Sequence, residues 1–353
     1  MELTLRVAIL GTGLIGSSIG LRLRRASTAK VPIDVVGYDR YEDVARQAQK
    51  VGAIDSLVYT SQEAVQGADL VILATPLLAI RKMMEEIAPV VSDDAIIIDT
   101  GSTKSEVLRW ANELFPAHVG FVGGHPMAGK TQTGPQAADA DLFEGARWIV
   151  VPPRSVPPDA IDVVSGLAQM LGAKPSFMDA HEHDAYAAAI SHLPLIASTA
   201  LFRLARSSEA WPELSLLASS GFRDTTRLTA TEPTMAHDIA ITNRVQIVHW
   251  IERYREELLE MQRAIADVEH ESDLFRLISE ANAHYTAYRE GGVGRKEIDQ
   301  QQFDDMPDIS MMDLLLGSTL AERARELSKR SDERMQEAER IARAAGRDGR
   351  PGN

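Results

Sequence analysis

The chain has 353 residues, 44% hydrophobic and 25% charged, with no cysteine and a formal net charge of −14. That length and composition suit two domains of an ordinary globular protein; they exclude disulfides, thiolate metal sites and a Cys nucleophile, and the charge argues against a nucleic-acid partner, which needs a basic surface. The start, Met1-Glu2-Leu3-Thr4-Leu5-Arg6, lacks the regions of a signal peptide, and no apolar run approaches the ~20 residues of a membrane span, so no membrane partner and a cytoplasmic location are expected.

Short apolar runs at 5–10, 34–39, 69–74, 95–99, 120–125 and 147–151 read as strands. Continuous Val/Ile/Leu suits strands covered on both faces. Amphipathic stretches such as 41–51 and 78–90 lie between most of them, and this alternation predicts a doubly wound, mostly parallel sheet. The proline-crowded stretch 152–158 interrupts it, and one further unit follows, a helix over 159–171 and a strand over 174–178.

From 179 the pattern is helical. Residues 180–206 are rich in Ala, Leu and Ile, and Pro194 predicts a kink near Ile190, whose carbonyl loses its partner. Thr231 is the expected N-cap of a long helix running to about 268, with Pro233 in its first turn. Another helix covers 271–289 and stops at Gly291-Gly292-Val293-Gly294. Residues 299–316 show no clear period; Thr319-Leu320-Ala321-Glu322 then has the form of a capping box before a charge-rich helix to about 345. The expected division is an α/β domain at 1–178, an all-α domain at 179–295, and an acidic, charged helical tail at 296–353 that is partly flexible.

Gly11-Thr12-Gly13-Leu14-Ile15-Gly16 follows the first strand and opens a helix, the context that the dinucleotide fingerprint requires. It makes the N-terminal domain a Rossmann domain. Gly11 permits the tight turn, Gly13 lets the backbone approach a pyrophosphate, and Gly16 lets helix and strand pack closely, with the helix N-terminus toward the phosphates. Asp39 ends the second strand and is expected to accept hydrogen bonds from the adenosine ribose, which favours NAD; Arg40 beside it leaves NADP open. Thr75 and Pro76 follow the third strand, at the sheet edge along which the cofactor should pass.

Three further segments stand out. Asp99-Thr100-Gly101-Ser102-Thr103-Lys104 and Gly123-Gly124-His125-Pro126-Met127-Ala128-Gly129 each begin at a strand end and so point to the cofactor crevice. The third is Ser191-His192-Leu193-Pro194, with Gly221-Phe222-Arg223-Asp224-Thr225-Thr226-Arg227 downstream. Together, from about residue 5 to about 290, these resemble the prephenate/arogenate dehydrogenase family.

The resemblance implies NAD-dependent oxidative decarboxylation of a cyclohexadienol, prephenate giving 4-hydroxyphenylpyruvate or arogenate giving tyrosine, in tyrosine biosynthesis. It also implies a homodimer built through the helical domain. His125 matches the family's His-Pro-x-Ala-Gly motif and becomes the hydrogen-bond acceptor and base, a task that suits imidazole chemistry. Ser102 matches the serine near nicotinamide and His; the plainer reading makes it the N-cap of a helix from Lys104. Arg227 matches the substrate-binding arginine, whose fork grips a carboxylate, with a surface ion pair as the plainer reading. His192 and Lys130 are further substrate-site candidates, His192 equally a satisfied core histidine, and Arg147 and Arg223 are additional cations.

Two positions depart from the family pattern: Leu195 stands where Ser-His-Leu-Pro-His carries a second His, and Ala236 follows Met235 where Trp is frequent. These leave the choice between prephenate and arogenate open. His181-Glu182-His183-Asp184 invites a metal, but i and i+2 on a helix point apart, so none is expected. β-Hydroxyacid dehydrogenases and pyrroline-carboxylate reductases share the domain plan; the former rely on a helical-domain lysine, and residues 190–227 contain none. A non-catalytic cofactor-binding dimer is the remaining alternative.

Overall fold

The computed structural model describes residues 4–291, other than 117, 131, 154 and 155. The predicted tail at 296–353 lies outside the described residues. The chain divides into two compact units, the first reaching Ala180 and the second beginning at His181.

In the first unit the elements run β1 (Leu5–Leu10), α1 (Leu14–Ala26), β2 (Ile33–Tyr38), α2 (Glu42–Lys50), β3 (Ser56–Leu57), α3 (Ser61–Val65), β4 (Leu70–Leu73), α4 (Leu77–Ile87), β5 (Ile96–Asp99), α5 (Ser105–Leu114), β6 (Gly120–Pro126), β7 (Arg147–Val151), α6 (Pro158–Met170) and β8 (Lys174–Phe177). The strands form one sheet in the order β3-β2-β1-β4-β5-β6-β7-β8. All neighbours are parallel except β6 and β7. The order reverses between β1 and β4, which opens a crevice at their carboxyl ends.

Burial explains the strand composition. Val7, Ile9, Val35, Ile72, Ile98 and Val122 belong to one core cluster with Ile19, Leu23, Val164 and Leu167 from the helices. α1 and α6 pack on the face of that cluster, and the positions facing the other way are buried too, Leu70–Leu73 throughout. Two elements escaped the sequence reading, β3 and α3, because two and five residues carry no measurable period. Thr60 nevertheless caps α3, its hydroxyl accepting from the Glu63 N–H at 3.2 Å while the Glu63 carboxylate accepts from the Tyr59 N–H at 3.1 Å.

The second unit holds α7 (Ala180–Ala187), which starts on the last residue of the first unit, then α8 (Leu193–Arg206), α9 (Trp211–Leu217), α10 (Ser220–Thr226), α11 (Pro233–Thr242), α12 (Arg244–Ala266) and α13 (Glu271–Arg289). Between α7 and α8 the helix widens into a π turn, Ala188–His192, closed by the Leu193 N–H donating to the Ala188 carbonyl. The chain meets Pro194 with this turn, one extra residue entering it at the place where the kink is expected, and Ile190 projects outward, 71% exposed. The helical run Ala180–Arg206 is, by length and composition, apolar enough to cross a membrane, more than the sequence reading allowed. It also buries His192 and Ser198, whose side chains bond within the unit.

Two expectations are corrected. The cap after 230 is Glu232, not Thr231: its carboxylate accepts from the N–H groups of Thr234 and Met235 at 3.0 and 2.8 Å, and a carboxylate at a helix N-terminus gains more than a hydroxyl. The single helix expected to 268 breaks at Asn243 (φ −120°, ψ 30°). The buried Asn243 amide donates to the Asp184 carbonyl at 2.7 Å, a tertiary bond that outweighs local helix continuity.

Candidate functional site

The glycine loop sits between β1 and α1, at the point where the strand order reverses. Gly11 has φ +97°, and a Cβ there would lie 2.5 Å from the Ala74 carbonyl oxygen, so only glycine lets the loop pass the end of β4. A Cβ on Gly16 would lie 2.0 Å from the Gly11 carbonyl oxygen. Gly13 differs: a Cβ there meets nothing within 4 Å. Its glycine answers no need of the protein's own packing, as expected where a ligand approaches the main chain. Leu14 and Ile15 open α1, and no side chain caps that helix, so its first N–H groups are left to an anion. The loop therefore fits the pyrophosphate of a dinucleotide.

Asp39, just past β2, reaches this loop. Its Oδ2 accepts from the Thr12 N–H at 2.8 Å and from the Thr12 hydroxyl at 3.3 Å, and its Oδ1 accepts from the Tyr41 N–H at 3.0 Å. These bonds aim the carboxylate and leave lone pairs for a ribose diol. Arg40 is exposed, its guanidinium 5.9 Å from the Tyr41 ring centre. Thr75 and Pro76 follow β4, Thr75 beside Gly11 and Pro76 capping α4.

Ser102 and His125 come from adjacent strand ends. β5 and β6 pair in register through Ile98 and Val122, after which β6 continues against β7 alone, His125 opposite Ile149. His125 and Ser102 are both half-buried. The residue preceding α5 is Lys104, with no side-chain cap, so the capping role offered for Ser102 is not one it plays. Beneath the two segments lies a pair to which the sequence reading gave no role. Asp99 and Lys104 are fully buried and bond directly, and the Lys104 ammonium also donates to the Gly124 carbonyl at 2.7 Å. Burial pushes the Asp99 carboxyl up, against the opposing pull of the Lys104 ammonium and the Gly101 and Gly124 N–H groups.

Lys130 is engaged elsewhere in the loop before β7: its ammonium donates to Asp139 at 3.0 Å and to the Ala137 carbonyl at 3.3 Å. Arg147, on β7, donates to the Ser176 hydroxyl at 3.0 Å.

In the helical unit, Arg227 follows α10. The Ser198 hydroxyl donates to the Thr225 carbonyl at 2.7 Å, and Phe202, Trp211 and Phe222 pack as a ring cluster, so α8, α9 and α10 together fix where Arg227 emerges. Arg227 is exposed and makes no ion pair among the described residues. Arg223 donates to the Ala218 carbonyl at 3.2 Å.

His192 is 1% exposed. Burial lowers its pKa to about 4, against the pull of Asp184 and with a further push from His183, so the ring is neutral near pH 7. The Asn243 amide nitrogen donates to the Asp184 carbonyl, so its second hydrogen goes to His192 Nδ1, 3.1 Å away. The proton of His192 then sits on Nε2, which has no partner. The His183 ring and the Asp184 carboxylate meet at 2.8 Å beside it. Sequence reasoning found His192 but missed Asn243; the one available signal was an Asn inside an otherwise apolar stripe.

Comparison with known proteins covers both units. Residues 19–176 match the family model described as prephenate dehydrogenase, nucleotide-binding domain, and residues 179–280 the model described as prephenate dehydrogenase, dimerization domain. The chain is 34% identical over 289 residues to the prephenate dehydrogenase of Bacillus subtilis, covering 81% of this chain and 75% of that one. Among solved structures, it is similar to Aquifex aeolicus prephenate dehydrogenase in complex with hydroxyphenyl propionate and NAD+ (TM-score 0.74, 26% identity, 80% of this chain and 98% of that one). It is also similar to Synechocystis arogenate dehydrogenase (TM-score 0.68, 28% identity, 80% and 100%).

Proposed function

The chain belongs to the prephenate dehydrogenase family, and on that premise we propose that it is the NAD-dependent enzyme converting prephenate to 4-hydroxyphenylpyruvate by oxidative decarboxylation. The observation that carries this reading is the convergence of Ser102, His125 and the glycine loop on the carboxyl edge of one sheet. When bound, NAD supplies the hydride acceptor, and loss of the ring carboxylate as CO2 completes aromatisation of the substrate.

The protein's own residues do the rest. His125 accepts a hydrogen bond from the ring hydroxyl and takes its proton as that carbon becomes carbonyl-like. Ser102 orients the imidazole or the hydroxyl. Arg227 grips a substrate carboxylate by two parallel bonds, which its unpaired state among the described residues supports. The net charge of −14 repels a dianionic substrate at long range, so capture depends on such a local cation. His192, neutral and buried, is at most a donor through Nε2, and Lys130 serves the substrate only by leaving Asp139. Gly11, Thr12, Gly13, Leu14, Ile15, Gly16, Asp39, Arg40, Thr75 and Pro76 hold the cofactor, and Asp39 favours NAD over NADP because a 2′-phosphate would face its charge.

We further divide the chain at 178/179 and assign it to the cytoplasm, as a homodimer joined through the helical unit. Leu258, Leu259, Ile265, Phe275, Ile278 and Tyr285 on α12 and α13 are exposed, which supports such a contact; a monomer mass by light scattering at micromolar concentration would overturn it.

The deciding experiment is growth of NADH absorbance with prephenate and, separately, with arogenate. A kcat/KM greater for prephenate is expected. A greater value for arogenate, the substrate in the name of the Synechocystis structure, would transfer the assignment; no turnover of either beside normal NAD binding would make the protein a cofactor-binding dimer. Michaelis constants for NAD and NADP test the cofactor preference.

A further inference from the structure

The carboxyl ends of β5 and β6 present a structural problem. Their ladder ends at Ile98 and Val122, yet the next few residues of each strand carry Ser102 and His125. No main-chain pairing between the two strands is left to hold these segments together. The gap is filled by two side chains, Asp99 and Lys104, both fully buried.

Their bonds are distributed over both segments. The Asp99 carboxylate accepts from the Gly101 N–H at 2.7 Å, one residue before Ser102, and from the Gly124 N–H at 3.2 Å, one residue before His125. The Lys104 ammonium bonds Asp99 and the Gly124 carbonyl. Gly124 thus has its N–H and its C=O held by opposite ends of one ion pair. A Cβ on Gly124 would lie 2.5 Å from the Asp99 carbonyl oxygen, so the strands approach at that point as closely as the main chain allows. A buried ion pair is a poor source of stability, because desolvation of two charges offsets their attraction. Apolar side chains would fill the space as well, but would bond neither glycine.

We propose that Asp99 and Lys104 are a positioning pair that fixes the Ser102 segment against the His125 strand, setting the reach of the imidazole to the substrate hydroxyl. The inference rests on the reading of His125 as the proton acceptor. Neither residue touches a reacting atom; both act through Gly101 and Gly124. A misplacement of about 1 Å at a reacting pair lowers rates by roughly 10²-fold, and the loss belongs to kcat, since the glycine loop lies on other strands.

The test compares three full-length variants, Asp99→Asn, the charge-free double variant Asp99→Asn/Lys104→Met, and His125→Asn. The measurements are kcat, substrate KM, NAD dissociation by fluorescence, and the isotope effect with substrate deuterated at the hydride-donating carbon. For the pair variants, kcat is expected to fall about 10²-fold with a fully expressed isotope effect, while NAD affinity stays within about threefold. A kcat within about threefold of the parent in a folded pair variant overturns the inference, as does a parallel loss of NAD affinity, which would mark general damage to the unit. If His125→Asn is slow and the pair variants are not, the positioning role alone is lost; if His125→Asn turns over normally, the base assignment falls and the inference with it. Should neither pair variant fold, amide exchange in the unaltered protein decides: Gly101 and Gly124 are expected to be protected like the central strands, and exchange at loop rates would overturn the proposal.

Discussion

The two units express function in different materials. At the crevice of the α/β unit it is written in the main chain: Gly11 turns where no other residue can, Gly16 packs against it, and Gly13 stands open. In the helical unit the polar core is written in side chains, with Asn243 joined to Asp184 and His192 across 59 and 51 residues of chain. A main-chain device must occupy a few consecutive residues, so it leaves a short signature. A side-chain network is assembled by packing and leaves isolated residues that look ordinary.

The largest test of this contrast lies at a place where the α/β unit depends on a side chain. His125→Asn should lower kcat by roughly 10²-fold or more, read as initial NADH formation at saturating substrate; near-parental turnover would return the whole sheet edge to main-chain function. Next, on the proposed role of Arg227, Arg227→Ala removes a charge-assisted bond to the substrate. Such bonds contribute about 1.5–3 kcal/mol, so substrate KM should rise roughly 10- to 100-fold with a smaller change in kcat. The reverse split would take Arg227 out of substrate binding.

A smaller effect separates the glycines from one another. Gly13→Ala should leave the urea midpoint of the free protein unchanged, because the new methyl meets nothing and φ is −67°. It should weaken NAD about tenfold or more, equivalent to ~1.4 kcal/mol. Gly16→Ala should instead lose stability before any ligand is added, its Cβ falling 2.0 Å from a carbonyl oxygen. Equal behaviour of the two variants would erase the distinction between a ligand-facing and a packing glycine.

A separate test concerns the helical network. His192 has a folded pKa of about 4 against an ordinary 6.5, so between these values the unfolded chain binds the proton more readily. Its share of stability is whole above pH ~6.5 and is lost as pH falls toward 4, by up to about 1.4 kcal/mol per pH unit. Urea unfolding of the protein and of His192→Asn at several pH values should show that slope in the parent and a shallower one in the variant. Identical slopes would mean that the ring is not held neutral.

The sequence by itself determined the strands of the sheet other than β3, nearly to the residue, because the central ones, such as β1, β4 and β5, are largely buried on both faces and read as apolar runs. It also pointed to the glycine loop, Asp39, Ser102 and His125, since all lie at strand ends whose position follows from the alternation of elements. It did not reveal β3 or α3, too short to carry a period. Only the three-dimensional structure revealed that Glu232 caps α11, that the long helix breaks at Asn243, that a π turn precedes Pro194, and that Asp99 and Lys104 meet under two glycines. The Glu232 cap and the π turn are choices among neighbouring residues; the break at Asn243 and the Asp99–Lys104 pair exist because a distant backbone group or a buried charge offered a stronger interaction than the local one.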